Sequence, residues 1–128
     1  MMKLGKKVPL PKEPDKKILD TFPNPGVDGV TFFTKEFTSL CPITGQPDWC
    51  DVYISYNPSK LCVESKSLKL YLQSYRNEKG FVESLTRRII DDLRYVLNPL
   101  FIFVSLTSTP RGGILIKAEK SYRGGTKL

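Results

Sequence analysis

Between Asp51 and Asn77 the hydrophobic period of the chain changes once, from two residues to nearly four. In DVYISYNP, Val52, Ile54 and Tyr56 fall on one face and Tyr53 and Ser55 on the other, the alternation of a half-buried strand. In ESKSLKLYLQSYRN, Leu68, Tyr71, Leu72 and Tyr75 recur at i, i+3, i+4 and i+7, one stripe of a helix. Lys66, Lys69, Gln73 and Arg76 fall mostly off that stripe. Residues 18–26, ILDTFPNPG, read as an extended lead-in. Residues 29–40, rich in Thr and Phe with partial alternation, read as a strand. The loop CPITGQPDW then joins two strands of a hairpin and is long for one. A second helix is expected from about Phe81 to Leu97, burying Phe81, Leu85, Ile89, Leu93 and Val96 and ended by Asn98-Pro99. FIFVSLTS and GGILIKAE are expected as the last two strands, joined tightly through TPRGG. The order is β-β-α-α-β-β, with no strand–helix–strand unit to demand a parallel sheet. It implies an α+β fold, a four-stranded antiparallel sheet with two helices on one face. The two open edges of such a sheet make assembly into a ring or barrel an expectation.

At 128 residues the chain fits one domain, taken as 18–128, behind a basic, Pro-rich tail over 1–17 that is expected to be mobile. No apolar run reaches the roughly 20 residues of a membrane span. The first residues lack the apolar segment of a secretory signal. Cys41, Cys50 and Cys62 fit no zinc spacing, so no metal site is expected. Their odd number argues against a disulfide framework and for a reducing, cytoplasmic setting. The chain has no histidine, which removes Ser/His and Cys/His dyads and imidazole bases; carboxylates, Lys, Tyr or Cys must carry any acid–base work. The net charge of +7 attracts phosphates, on a nucleic acid or on a cofactor. Much of it lies in KKVPLPKEPDKK and KAEKSYRGGTKL, which also read simply as solvated ends. No nucleic-acid-binding signature occurs, and no direct nucleic-acid partner is expected.

Chemistry concentrates in FTSLCPITGQPDW. Cys41 and Asp48 sit at the two ends of a stiff, turn-rich loop. One reading is a buried thiol and a turn carboxylate. The other is a nucleophile and a proton donor flanking a substrate. Glu83, near the start of the second helix, reads equally as a solvated acid. Lys66 and Lys69 share a helical face that also reads as simply wet.

FTSLCPITGQPDW, ESKSLKLYLQSYRN and TPRGG, in this order and spacing, resemble the NADPH-dependent 7-cyano-7-deazaguanine reductases, the nitrile reductases of queuosine biosynthesis. The resemblance runs from about Phe22 to the C-terminus. It implies the tunnelling fold, whose subunits assemble into barrels, and for the short branch two stacked pentamers with active sites between subunits. The nitrile of a small 7-deazaguanine would become an aminomethyl group at the expense of two NADPH, through a covalent thioimide on Cys41 with Asp48 moving protons. Glu83 would grip the guanine-like edge by paired hydrogen bonds. Val63, Glu64 and Ser65, with Val82 beside Glu83, would complete the substrate contact. Lys66, Lys69, Arg111, Gly112 and Gly113 would hold the cofactor. The chain departs from the family at Val82, where Phe-His-Glu is usual and Phe81-Val82-Glu83 stands. Two alternatives follow from that departure: a relative that adds ammonia to the same nitrile, and a binder with impaired reduction.

Overall fold

A computed structural model describes residues 9–124. Six strands and two α-helices follow in order: β1 Thr21–Pro23, β2 Val30–Leu40, β3 Pro47–Asn57, β4 Leu61–Val63, α1 Ser65–Gln73, α2 Val82–Leu97, β5 Phe101–Ser108 and β6 Lys117–Arg123. The main sheet is antiparallel with order β2-β3-β5-β6, so β2 and β6 are its edges. β1 and β4 pair separately, which turns the expected lead-in into a short strand.

Both helices cover one face of the sheet. Val52, Ile54 and Tyr56 of β3 and Ile102, Val104 and Leu106 of β5 are buried there, against Leu68, Tyr71 and Leu72 of α1 and Leu85, Ile89, Ile90, Leu93 and Leu97 of α2. The expected α1 stripe is therefore the buried one, with Tyr75 placed by a 3-10 extension over Ser74–Asn77. Two buried phenols are satisfied in series: the Tyr71 hydroxyl donates to Asp92 at 2.6 Å and lies 2.7 Å from the Tyr75 hydroxyl. Asn98 ends α2 in the left-handed region, at φ 43°, and its N–H reaches the Arg94 carbonyl.

β2 explains its own broken alternation. Thr34 pairs with Val52 but Phe37 with Cys50, so three steps on β2 match two on β3. This bulge exchanges the faces. Before it Val30 and Phe32 turn toward the core; after it Phe37 and Ser39 do.

Four expectations are corrected. The hairpin connection is residues 41–46, not 41–49, because Pro47 opens β3, a strand position that needs no N–H. Phe81 is 56% exposed: it is the extended N-cap of α2 and lies outside the helical period, while Val82 takes the buried position. The last strand begins at Lys117 rather than in GGIL, since Arg111 and Ile114 pair with each other and leave Ile114, Leu115 and Ile116 exposed. The basic stretch at 117–123 is thus an edge strand, not a solvated end. Of the tail expected over 1–17, residues 1–8 lie outside the described residues. Beyond them the Pro11 and Pro14 carbonyls accept hydrogen bonds from Arg76 and Arg88.

Leu93 is fully buried and Tyr95, two residues on, is 62% exposed. Leu93→Ala should cost about 2–5 kcal/mol in chemical denaturation at fixed protein concentration, whereas Tyr95→Ala should cost less than about 1 kcal/mol.

Candidate active site

The β2–β3 register brings the two chemical ends of the hairpin together. Ser39 faces Asp48 and Leu40 faces Pro47. Beyond them the chain turns on two backbone hydrogen bonds, Gly45 N–H to Cys41 O at 2.9 Å and Cys41 N–H to Gln46 O at 2.8 Å. Gly45 holds φ at 72°, where a side chain would be strained. Asp48 continues the core-facing row of Tyr56, Ile54, Val52 and Cys50 to the end of β3, so its side chain is only 13% exposed.

A third element closes over this end. Thr109 N–H donates to the Trp49 carbonyl at 3.0 Å, and Arg111 and Ile114 exchange two hydrogen bonds at 2.8 and 2.9 Å. Gly112 and Gly113 are the central pair of that turn, both at positive φ, as a type I′ turn demands. The Arg111 guanidinium is delivered onto the Asp48 carboxylate as an ion pair.

The Cys41 thiol is brought down from its ordinary 9.0 to about 7. The Thr44 hydroxyl is the main cause, followed by the backbone N–H groups of Thr44 and Ile43; desolvation opposes them and Arg111 adds to them. Burial, with a smaller contribution from Asp51, pushes the Cys50 thiol the other way, up to about 11. Cys41 is thus the thiol in the accessible, activated setting, while Cys50 and Cys62 are buried.

α2 is tied to the same end. Leu40 N–H donates to the Glu78 carbonyl and Gly80 N–H to the Leu40 carbonyl, which seats residues 78–80 on the free edge of β2. Glu83 follows in the first turn of α2, exposed, with no hydrogen bond or ion pair among the described residues. Val82 turns inward to the core, and its carbonyl accepts from the Thr86 hydroxyl at 2.7 Å.

The remaining expected site residues lie elsewhere. Val63 is buried, and its N–H donates to the Tyr56 hydroxyl at 2.9 Å. Tyr56 is eight residues from Asp48 on β3, about 26 Å at strand spacing. Both Glu64 carboxylate oxygens cap α1, accepting from Lys66 N–H and Ser67 N–H at 2.8 Å each. Ser65 and Lys69 border a cavity of about 290 Å³ between β2 and α1, with Phe37, Ile54 and Leu68 among its walls; Lys66 lies outside it. Neither Cys41, Asp48 nor Arg111 lines that cavity. One chain therefore assembles Cys41, Asp48 and Arg111 but does not bring the 63–69 group to them.

The expected set omitted Thr44, and it gave Arg111 no contact with Asp48. The signal for Thr44 was present, since a Thr inside a tight turn hydrogen-bonds its own backbone two residues on. Among the described residues no cluster of three metal-ligating side chains occurs, and no helix is long and apolar enough to cross a membrane.

Residues 47–126 match the family described as QueF-like protein. A protein of Streptococcus thermophilus named NADPH-dependent 7-cyano-7-deazaguanine reductase is 49% identical over 121 residues, covering 92% of this chain and 74% of that one. One of Nitrosospira multiformis with the same name is 44% identical over 124 residues, covering 93% and 88%. The chain belongs to this family, that of the NADPH-dependent 7-cyano-7-deazaguanine reductases, which are oxidoreductases. A crystal structure titled as the apo form of the archaeosine synthase QueF-Like superposes with a TM-score of 0.71, at 22% identity, over 80% of this chain and 99% of that one. At that identity the likeness establishes the fold alone, and the fold is the tunnelling fold expected for the single chain.

The alkylation rate of Cys41 by iodoacetamide should reach half its limiting value near pH 7 and fall about tenfold per unit below, because a lowered thiol pKa keeps thiolate present at lower pH. Cys50 and Cys62 should stay unmodified in the folded protein, which intact-mass analysis at each pH can check.

Proposed function

We propose that the chain reduces the nitrile of 7-cyano-7-deazaguanine to the aminomethyl product with NADPH, through a covalent thioimide on Cys41. One observation carries the reading: the closed hairpin sets the Cys41 thiol and the largely buried Asp48 carboxylate, ion-paired with Arg111, at the two ends of one short turn, in a member of this family. The Cys41 sulfur adds its electron pair to the nitrile carbon, and one π pair moves to nitrogen. Asp48 takes the thiol proton and returns it to that nitrogen, so the proton count balances. Two NADPH, bound in turn, would each supply one hydride, the first to the thioimide and the second to the imine that follows, and the amine nitrogen takes its last proton from solvent through Asp48. Between those events Cys41 leaves as thiolate, with Arg111 and the 41–46 turn ready to receive its charge.

Glu83 suits a ligand edge carrying two N–H groups, being a carboxylate uncommitted among the described residues. Lys69, at the 290 Å³ cavity, and Arg111, with open space over Gly112 and Gly113, fit the phosphates of the cofactor, with Lys66 beside them in sequence. The family's usual His is Val82 here. A core-packed valine moves no proton, so Asp48 carries the acid–base work.

The separation of the 63–69 group from Cys41 supports a site completed by a second copy of the chain. So do the open edges of β2 and β6 and the exposed aromatics Phe33 and Tyr53 on the uncovered sheet face. A ring of such copies, in stacked pentamers, is the assembly we infer. Free Cys41, Cys50 and Cys62 fit a reducing, cytoplasmic setting.

NADPH consumption, followed by its absorbance, should depend on 7-cyano-7-deazaguanine, vanish in Cys41→Ala and slow about 10²–10⁴-fold in Asp48→Asn. Substrate-dependent consumption that persists in Cys41→Ala, or none in the unaltered chain, would overturn the reading.

A further inference from the structure

The connection into β6 leaves three consecutive apolar side chains outside. Ile114, Leu115 and Ile116 are 70%, 53% and 42% exposed. Their backbone is nevertheless fixed. Ile114 exchanges two hydrogen bonds with Arg111, Ile116 N–H donates to the Ser108 hydroxyl at 3.1 Å, and the Ile116 carbonyl accepts from Ser108 N–H at 2.8 Å. An ordered apolar edge of this kind marks a contact surface. The same chain carries a cavity of matching chemistry. The space between β2 and α1 has apolar walls in Phe32, Phe37, Leu68 and Leu72. Its volume of about 290 Å³ is roughly twice the ~150 Å³ that accepts one benzene, so it has room for two aliphatic side chains.

The topology brings arm and cavity together between copies of the chain. β2 is antiparallel to β3, β3 to β5 and β5 to β6, so β6 runs opposite to β2 at the far edge of the sheet. A second copy set beside the first in the same sense offers its β6 as an antiparallel partner for β2, a heterologous contact that can close into a ring. The levels match too. Lys117, at the start of β6, pairs with Thr107, and Thr107 with Asp51. Asp51 lies opposite the β2 bulge between Thr34 and Phe37, and Thr34, Glu36 and Phe37 border the cavity. Among the described residues, the outer edge of β2 has main-chain partners only at Leu40, which leaves the bulge open to a partner strand. Charge agrees with this seat: Glu36 carries no ion pair among the described residues, and the arm runs into Lys117, whose contact with Glu119 is a loose 3.8 Å.

We propose that residues 114–116 are a docking arm, seated in the β2–α1 cavity of the next copy of this chain while β6 pairs antiparallel along that copy's β2. Ile114 and Arg111 are bonded across one turn, and Ser65 and Lys69 border the cavity. The seat therefore brings Arg111 of one copy to Ser65 and Lys69 of the next, the juxtaposition that a single chain lacks. As the contact that completes the reductase site it rests on the proposed function, but its test needs no turnover.

The test is cross-linking of the full chain in a Cys41→Ala background, where the remaining native thiols, Cys50 and Cys62, are buried. The double variant Ile114→Cys with Gln73→Cys, on the cavity wall, is treated with a short bis-maleimide. It should give covalent multimers on a denaturing gel, with peptide mapping that joins position 114 of one chain to position 73 of another. Each single variant should stay one chain. In a second measurement, Leu115→Asp drives a charge toward the apolar cavity and should lower the assembled mass seen by light scattering, with far-UV circular dichroism unchanged. A double variant that stays one chain, a link that maps within one chain, or an unchanged assembled mass in Leu115→Asp would overturn the proposal. Cross-linking from 114 to 73 in a protein that reduces no nitrile would sink the proposed function and leave the arm standing. Nitrile reduction by a protein whose chains are never linked would do the reverse.

Discussion

The pairing of Ser39 with Asp48 and of Leu40 with Pro47 is the contact on which the site depends. It closes the hairpin so that six residues join Cys41 to the strand-borne carboxylate of Asp48, and hydrogen bonds at Cys41 N–H and O fix the turn from both sides. Because side chains alternate along a strand, a slip of one residue would send Asp48 to the opposite face. The bulge between Thr34 and Phe37 is part of the same constraint. Without it the odd-numbered end of β2 would face solvent, and Phe37 would not stack on Tyr75 at 5.4 Å. Leu40 then transmits the placement outward, since its two bonds to residues 78–80 set where α2 begins.

The parts of the fold set by local period were legible. Val52, Ile54 and Tyr56, like Leu68, Tyr71, Leu72 and Tyr75, occupy the buried faces their spacing implies. What escaped the sequence depends on pairing or on geometry just outside an element. The bulge carries no residue-type signal here, so β2 showed only weak alternation. Phe81 fits the helical spacing but precedes the helix. Ile114, Leu115 and Ile116 look like strand and are diverted by the turn at Gly112-Gly113. In the site, the motif around Cys41 and Asp48 was legible by resemblance. The meeting of Arg111 with Asp48 was not, because only the alignment of β5 with β3 brings the 109–116 connection to Trp49.

Glu64 and the two glycines of TPRGG show how a recognisable motif can serve the fold first. The Glu64 carboxylate is consumed in capping α1, and its backbone N–H and carbonyl are taken by Asp20, Leu68 and Ser67. Gly112 and Gly113 satisfy a turn that needs positive φ before any ligand approaches. Val82 likewise contributes to the core and leaves Glu83 as the outward-facing group of the first helical turn. The proposed chemistry then rests on few side chains: the Cys41 thiol in its turn, the Asp48 carboxylate at the end of the core, and the arginine paired with that carboxylate.

The central claim is that Cys41 bonds covalently to the nitrile carbon. Intact-mass spectrometry of the protein incubated with 7-cyano-7-deazaguanine in the absence of NADPH tests it most directly. The account requires a rise of one substrate mass per chain, lost in Cys41→Ala. An unchanged mass, or an equal rise in Cys41→Ala, would contradict it.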